Sequence, residues 1–272
     1  MTPEHPRVLV VDIGGTHIKL LGTGHRKPIR LPSGRSLTPA IMVKVVLEAT
    51  GAWSYDVLSI GYPGPVGPRG PAAEPSNLGR GWVGFDFERA FHRPVRLIND
   101  ASMQALGGYR GGRMLFLGLG TGLGAALVVQ GHLQPLELAH LPYRKKKTFE
   151  DYVGDASRLA RGTRRWRRYV IDVVSRLMVA MQAETLLLGG GNARRMRRVL
   201  DQLPECTRIG SNADAFRGGM RLWQPAHERA VRLRASGDIP AATPPAAGRK
   251  RAERKKATVA RGAIALVSGN GT

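Results

Sequence analysis

The sequence predicts an α/β chain of two similar halves that face each other across a cleft. Two observations carry that expectation. A strand, glycine turn, strand unit occurs near the start and again just past residue 110. Short apolar strands also alternate with helical stretches, the pattern of layered α/β folds. The expected organisation is a first half over residues 1–106, a second over 107–223, and a basic tail over 224–272.

The elements justify this in order. Residues 7–11 form an apolar run that breaks at Asp12-Ile13-Gly14-Gly15-Thr16 and resumes from His17 toward Lys19 and Leu21. Residues 113–117 repeat the layout, breaking at Gly118-Leu119-Gly120-Thr121-Gly122 and resuming to Val129. A glycine backbone can curl and present successive N–H groups to an anion, and the Thr16 and Thr121 hydroxyls add donors. Ordinary hairpins would have the same turns, but two in repeat register favour phosphate binding. Residues 57–60 read as a strand before Gly-Tyr-Pro-Gly-Pro-Val-Gly, a fixed loop. Residues 95–98 read as a strand ending in Asn99-Asp100, with a helix over 101–106. Asp100 is then either the N-cap of that helix or a carboxylate at the sheet edge where α/β ligand sites form, and it can be both. Glu137 and His140 are three residues apart and share one side of a helix or loop. A helix with an apolar stripe through Val170, Val173, Val174, Leu177, Val179 and Met181 is expected over 164–183. A buried strand over 185–188 then meets Gly189, Gly190, Gly191 and Asn192 before a second helical stretch, either a plain turn or an anion site at a helix start. A last helix is expected from Asn212 to near Trp223.

Charge is the outlying property. The chain carries 42 Lys+Arg against 20 Asp+Glu, a formal net charge of +22. Such a surface attracts polyanions, and charge alone does not choose among nucleic acid, anionic lipid and polyphosphate. The basic residues cluster at 144–147, 158–168 and 194–198, each a solvated face or a polyanion contact. The last 48 residues hold 10 Lys/Arg and 3 Asp/Glu and are expected to be mostly disordered, with an apolar end at 263–267. One cysteine, Cys206, excludes an intrachain disulfide and a Cys-rich zinc site. No apolar run of about 18 residues exists and the N-terminus lacks a secretory layout, so a cytoplasmic protein is expected, without a membrane partner.

Together these motifs resemble the ROK sugar kinases of the actin-like ATPase (ribonuclease H-like) superfamily, over roughly residues 7–223. Asp12-Ile13-Gly14-Gly15-Thr16-His17-Ile18-Lys19 looks like the first phosphate loop and residues 117–124 like the second. Gly-Tyr-Pro-Gly-Pro-Val at 61–66 and Asn-Leu-Gly-Arg-Gly-Trp at 77–82 resemble the sugar-side loops, and 97–100 the catalytic aspartate segment. Residues 186–191 look like the adenosine-side loop. The family's zinc loop is missing, replaced by Pro-Tyr-Arg-Lys-Lys-Lys at 142–147, and Ala139 stands where the family's Glu-x-Gly-His motif has glycine. The chain is most similar to the zinc-free polyphosphate glucokinase-like branch.

The resemblance implies a two-lobed fold and phosphoryl transfer from polyphosphate or ATP to the 6-hydroxyl of glucose or a related hexose. Asp100 would be the catalytic base. Asn77, Asn99, Asp100, Glu137, His140 and Glu150 would bind the sugar. Asp12, Gly14, Gly15, Thr16, Lys19, Gly120, Thr121, Gly122, Gly189, Gly190 and Gly191 would bind phosphate or nucleotide. Mg2+ would accompany the donor near Asp12, with no zinc and no protein-held metal set. A homodimer fits the family, and no specific nucleic-acid partner is expected. The alternative is a non-catalytic sugar sensor or nucleic-acid-associated regulator on the same fold; with six residues ahead of Arg7, no N-terminal DNA-binding segment is expected.

Overall fold

The computed structural model describes residues 6–211 and 213–225. The expectations for Asn212 and for the tail, including its apolar end at 263–267, fall outside the described residues, apart from Gln224 and Pro225.

The chain builds two five-stranded mixed sheets with the same arrangement. The first half supplies β1 (Val8–Ile13), β2 (His17–Gly22), β3 (Ile29–Pro32), α1 (Pro39–Thr50), β4 (Val57–Tyr62), the short β5 (Val66–Gly67) and β6 (Gly70–Pro71), α2 (Phe87–Phe91), β7 (Val95–Asn99) and α3 (Asp100–Gly108). The second supplies β8 (Arg113–Leu119), β9 (Leu123–Val129), β10 (His132–Leu136), β11 (Pro142–Arg144), β12 (Lys147–Thr148), α4 (Glu150–Val153), α5 (Asp155–Arg161), α6 (Thr163–Ala180), β13 (Thr185–Gly189), a 3-10 helix (Ala193–Gln202), β14 (Thr207–Ile209) and α7 (Ala213–Arg221). The sheet orders are β3-β2-β1-β4-β7 and β10-β9-β8-β13-β14. In each, two antiparallel hairpins fold onto a strand whose other neighbour is parallel. The expected repeat is therefore a repeat of whole sheets. β1, β4 and most of β8 are buried along their lengths, which explains their unbroken apolar runs.

Each sheet carries its own core. Leu9, Val11, Ile18, Ile60, Tyr62 and Trp82 pack with α1 residues Met42 and Val46. Leu115, Leu117, Leu186 and Leu188 pack with α6 residues Trp166, Val170, Val173 and Val174. Helix α6 ends at Ala180; Met178 and Met181 still pack on the core, whereas Val179, two residues past Leu177, faces the opposite side of the helix and is 76% exposed. Helix α1 starts on a Thr38 side-chain cap followed by Pro39, a favoured start that the sequence reading had not used.

The halves are joined by α3 and α7, which cross backbone against backbone. A Cβ on Gly107 would lie 1.7 Å from the Asp214 carbonyl oxygen, and one on Gly218 would lie 1.8 Å from that of Met103. Glycine is the residue that permits this approach. Arg221 then donates to the carbonyls of Leu106, Gly107 and Tyr109, satisfying the end of α3. Helix α7 is pinned to the first sheet by Ser59 donating to the Gly219 carbonyl and Trp223 donating to Ser59.

Candidate active site

Helix α3 begins where β7 ends, and this placement sets the Asp100 carboxylate. The cap is Asn99, which corrects the N-cap option for Asp100: Asn99 Oδ1 accepts from the N–H groups of Ala101 (3.0 Å) and Ser102 (3.2 Å). Its Nδ2 donates to the Gly64 carbonyl at 3.1 Å, tying the Pro/Gly loop to the helix start. Both ends of the Asn99 amide are thus occupied in holding the backbone. Asp100 is the first helical residue, and its Oδ1 accepts from the Ala101 N–H at 2.7 Å. Burial raises its pKa to about 6, and the nearby carboxylate of Asp12 adds to the rise, against the opposing pull of the Ala101 N–H and Lys19.

The first glycine turn lies beside this pair. Asp12 is the penultimate residue of β1 and is almost fully buried, and Lys19 faces it across the β1–β2 ladder with Nζ 2.9 Å from Oδ2. Gly61 has no side chain, and a Cβ there would approach both Met103 and Asp12. Gly14 N–H is spent on the His17 carbonyl, and Ser33 Oγ donates to the Gly14 carbonyl at 2.7 Å. Gly15 and Thr16 are exposed, and Asn77 packs against Gly15.

The second turn is built alike and held harder. Gly120 N–H closes on the Gly122 carbonyl. Glu150 Oε2 accepts from the Leu123 N–H at 3.0 Å and fills the space where a Gly122 side chain would go. The N–H of Asp155 donates to the carbonyls of Gly120 and Thr121. Glu150 was expected to touch sugar; one of its oxygens instead braces this turn. Ala101 sits against Gly124, so Asp100 and the second turn are neighbours.

Gly189, Gly190 and Gly191 follow β13. Gly190 lies in the left-handed region (φ 79°) and against the Leu119 backbone, so no other residue fits without strain. The loop is fixed by Asn192, a residue the sequence reading passed over as a ligand. Its N–H donates to the Leu119 carbonyl, its Nδ2 to Asp155 Oδ1 at 2.8 Å, and its Oδ1 accepts from Arg195 Nε. Arg158 completes the set on Asp155 at 2.6 Å, and Arg158 and Asn192 together hold that carboxyl below the usual range. No local pattern marks these four residues, since their partners lie up to 37 positions apart.

Glu137 and His140 lie in the loop after β10, both exposed, on either side of the buried Leu138 and Ala139. The β11–β12 hairpin forms the segment expected in place of a zinc loop. It is held by Tyr143 donating to Asp172 at 2.5 Å, by Arg144 and Arg176 on the same carboxylate, and by edge contacts of Tyr143 with Tyr152 and of Tyr152 with Tyr169. Among the described residues, no group of three or more His, Cys, Asp or Glu is placed to hold a metal, and no helix is long and apolar enough to cross a membrane.

No family model matches the chain. It is 26% identical over 227 residues to a polyphosphate glucokinase of Mycobacterium leprae, covering 76% of this chain and 70% of that protein. Its fold matches an inorganic polyphosphate/ATP-glucomannokinase from Arthrobacter sp. strain KM (TM-score 0.66, 22% identity, 86% of this chain and 100% of that one). It also matches a ROK family glucokinase from Streptomyces griseus solved with glucose and AMPPNP (TM-score 0.65, 15% identity, 80% and 99%). The fold is the two-lobed actin-like ATPase fold of these kinases.

Proposed function

We propose that this chain is a ROK-type glucose kinase that transfers a phosphoryl group from polyphosphate or ATP to the 6-hydroxyl of glucose. The observation that carries the reading is Asp100: a desolvated carboxylate with its pKa raised to about 6, at a helix start between two glycine turns. At neutral pH it is mostly ionised, yet a better proton acceptor than an ordinary aspartate, as a general base requires.

The steps assigned to the protein are few. Asp100 accepts the proton of the attacking hydroxyl. Gly15, Thr16, Thr121 and Gly122 present donors to the phosphates, while Gly14 and Gly120 keep the turns closed through their own N–H groups. Glu137, His140, Asn77 and the second oxygen of Glu150 contact the sugar hydroxyls, which need both donors and acceptors. Asn99 positions Asp100. Lys19 screens Asp12 and is available to a phosphate oxygen. Asp12 and Asp100, two neighbouring carboxylates without a larger ligand set, suit Mg2+, a cation held mainly by substrate phosphates and water. When bound with the donor, Mg2+ neutralises charge developing on the transferred group. The same reading takes the protein to be cytoplasmic, without zinc or a specific nucleic-acid partner, and compatible with a homodimer.

A coupled glucose-6-phosphate assay, with ATP and long-chain polyphosphate in parallel, tests the reading. Turnover with at least one donor supports it. Sugar binding without turnover returns the protein to the sensor class.

A further inference from the structure

A groove of about 510 Å3 opens beside the glycine-rich loop, lined by Thr163, Arg167, Gly191, Arg194, Arg195 and Arg198. Its walls come from two elements, the first turns of α6 and the 3-10 helix after Asn192. We propose that this groove binds the distal phosphates of an inorganic polyphosphate donor, so that chain length is read here. The proposal rests on the kinase reading and assigns the subsite within it.

Three observations point to that ligand. First, the lining offers four guanidinium groups and no carboxylate, and none of the four is in an ion pair among the described residues. The groove therefore carries an excess of positive charge, offset only at Arg195 by the nearby Asp155, and guanidinium forks match phosphate oxygens two at a time. Second, the groove is partly pre-organised. Arg167 Nε donates to the Arg195 carbonyl at 2.8 Å, and Arg195 Nε to Asn192 Oδ1 at 2.9 Å, so both side chains are held through Nε, while Arg194 and Arg198 stand exposed. Third, the groove is bonded to the second glycine turn. Asn192 links it to Leu119 and to Asp155, whose N–H holds the carbonyls of Gly120 and Thr121. A chain whose terminal phosphate sits at that turn has a continuous basic route past Gly191.

The lining also argues against an adenine ring as the preferred occupant. No apolar or aromatic side chain lines the groove, so a purine would find only guanidinium faces to stack on, whereas phosphates meet four guanidinium forks. The other basic runs are less suited. Arg144 is paired to Asp172, Arg165 donates to Tyr169, and Lys145 and Lys146 sit at a hairpin tip in the left-handed region. Of the expected polyanion contacts at 144–168, only Arg167 reaches the groove.

The test uses the full chain with Arg194→Ala and Arg198→Ala combined, because among the described residues neither side chain makes a hydrogen bond that holds the fold. Lys145→Ala with Lys146→Ala is the control of equal charge loss. The groove pair should raise KM for long-chain polyphosphate by roughly tenfold or more, and for tripolyphosphate and ATP by no more than about threefold. The control pair should change the long-chain KM by less than about threefold. Equal shifts for all donors, or equal shifts in both variant pairs, overturn the proposal. Should the parent phosphorylate no sugar, the kinase reading fails, and direct binding of labelled polyphosphate decides the groove separately. Binding lost in the groove pair and kept in the control pair supports it; equal binding by parent and groove pair overturns it, as does tighter binding of single-stranded RNA than of polyphosphate at equal charge.

Discussion

The two glycine turns occupy equivalent places in two similar sheets, yet they are held in different ways. The first is braced by Ser33 and backed by the buried Asp12–Lys19 pair, with Asp100 nearby. The second is clamped by the Glu150 carboxylate and the Asp155 N–H, and is surrounded by Arg158, Arg195 and the arginine groove. The fold is repeated and the chemistry is not: the acidic turn suits proton removal from a sugar, and the basic turn suits a polyanionic donor. The difference comes from what packs behind each hairpin. β3 and its loop stand behind the first, while the short helices α4 and α5 and the long α6 stand behind the second.

The largest effect should come from breaking what joins the turns. Gly107→Val places side-chain atoms against the Asp214 backbone at the α3–α7 crossing, and a cost of about 3 kcal/mol or more is expected. Loss of soluble protein, or a Tm lowered by many degrees, checks it. Next, Glu150→Ala removes the clamp of the second turn and leaves the Leu123 N–H without its partner. It should cost about 1–3 kcal/mol and raise KM for either donor. The matching change at the first turn, Ser33→Ala, should cost only about 1 kcal/mol, because one neutral hydrogen bond is lost. Equal destabilisation in the two variants would remove the contrast.

The acidic side has its own signature in pH. The pKa of Asp100 is raised on folding, so the native state binds a proton more tightly than the unfolded chain, and this group costs stability as pH rises from about 4 through 6. Asp100→Asn should therefore stabilise the ligand-free protein near pH 7, by about 3 kcal/mol at most, and the gain should largely vanish near pH 4. Chemical denaturation at several pH values reads this directly.

Much of this was legible in the sequence, and the reason is locality. Both glycine turns, the strands beside them, the Asn99-Asp100 corner and the triple glycine are contiguous patterns, and a contiguous pattern survives without a structure. The cap at Asn99 was misassigned to its neighbour because adjacent Asn and Asp are both good caps, and only backbone geometry separates them. The turn brace of Glu150, the Asp155–Asn192–Arg195 set and the arginine groove join residues 27 to 37 positions apart or more, and no spacing rule announces them. Val179 was placed in the stripe of α6 as an apolar residue, although two positions past Leu177 it falls on the opposite side of the helix and is exposed.

The central claim is that Asp100 takes the proton from the sugar hydroxyl, and Asp100→Asn tests it most directly. With the coupled assay and a parallel glucose-binding measurement on full-length protein, kcat should fall by roughly 100-fold or more while glucose affinity stays within a few-fold of the parent. A variant that keeps near-parental kcat would contradict the account and remove Asp100 from the chemistry.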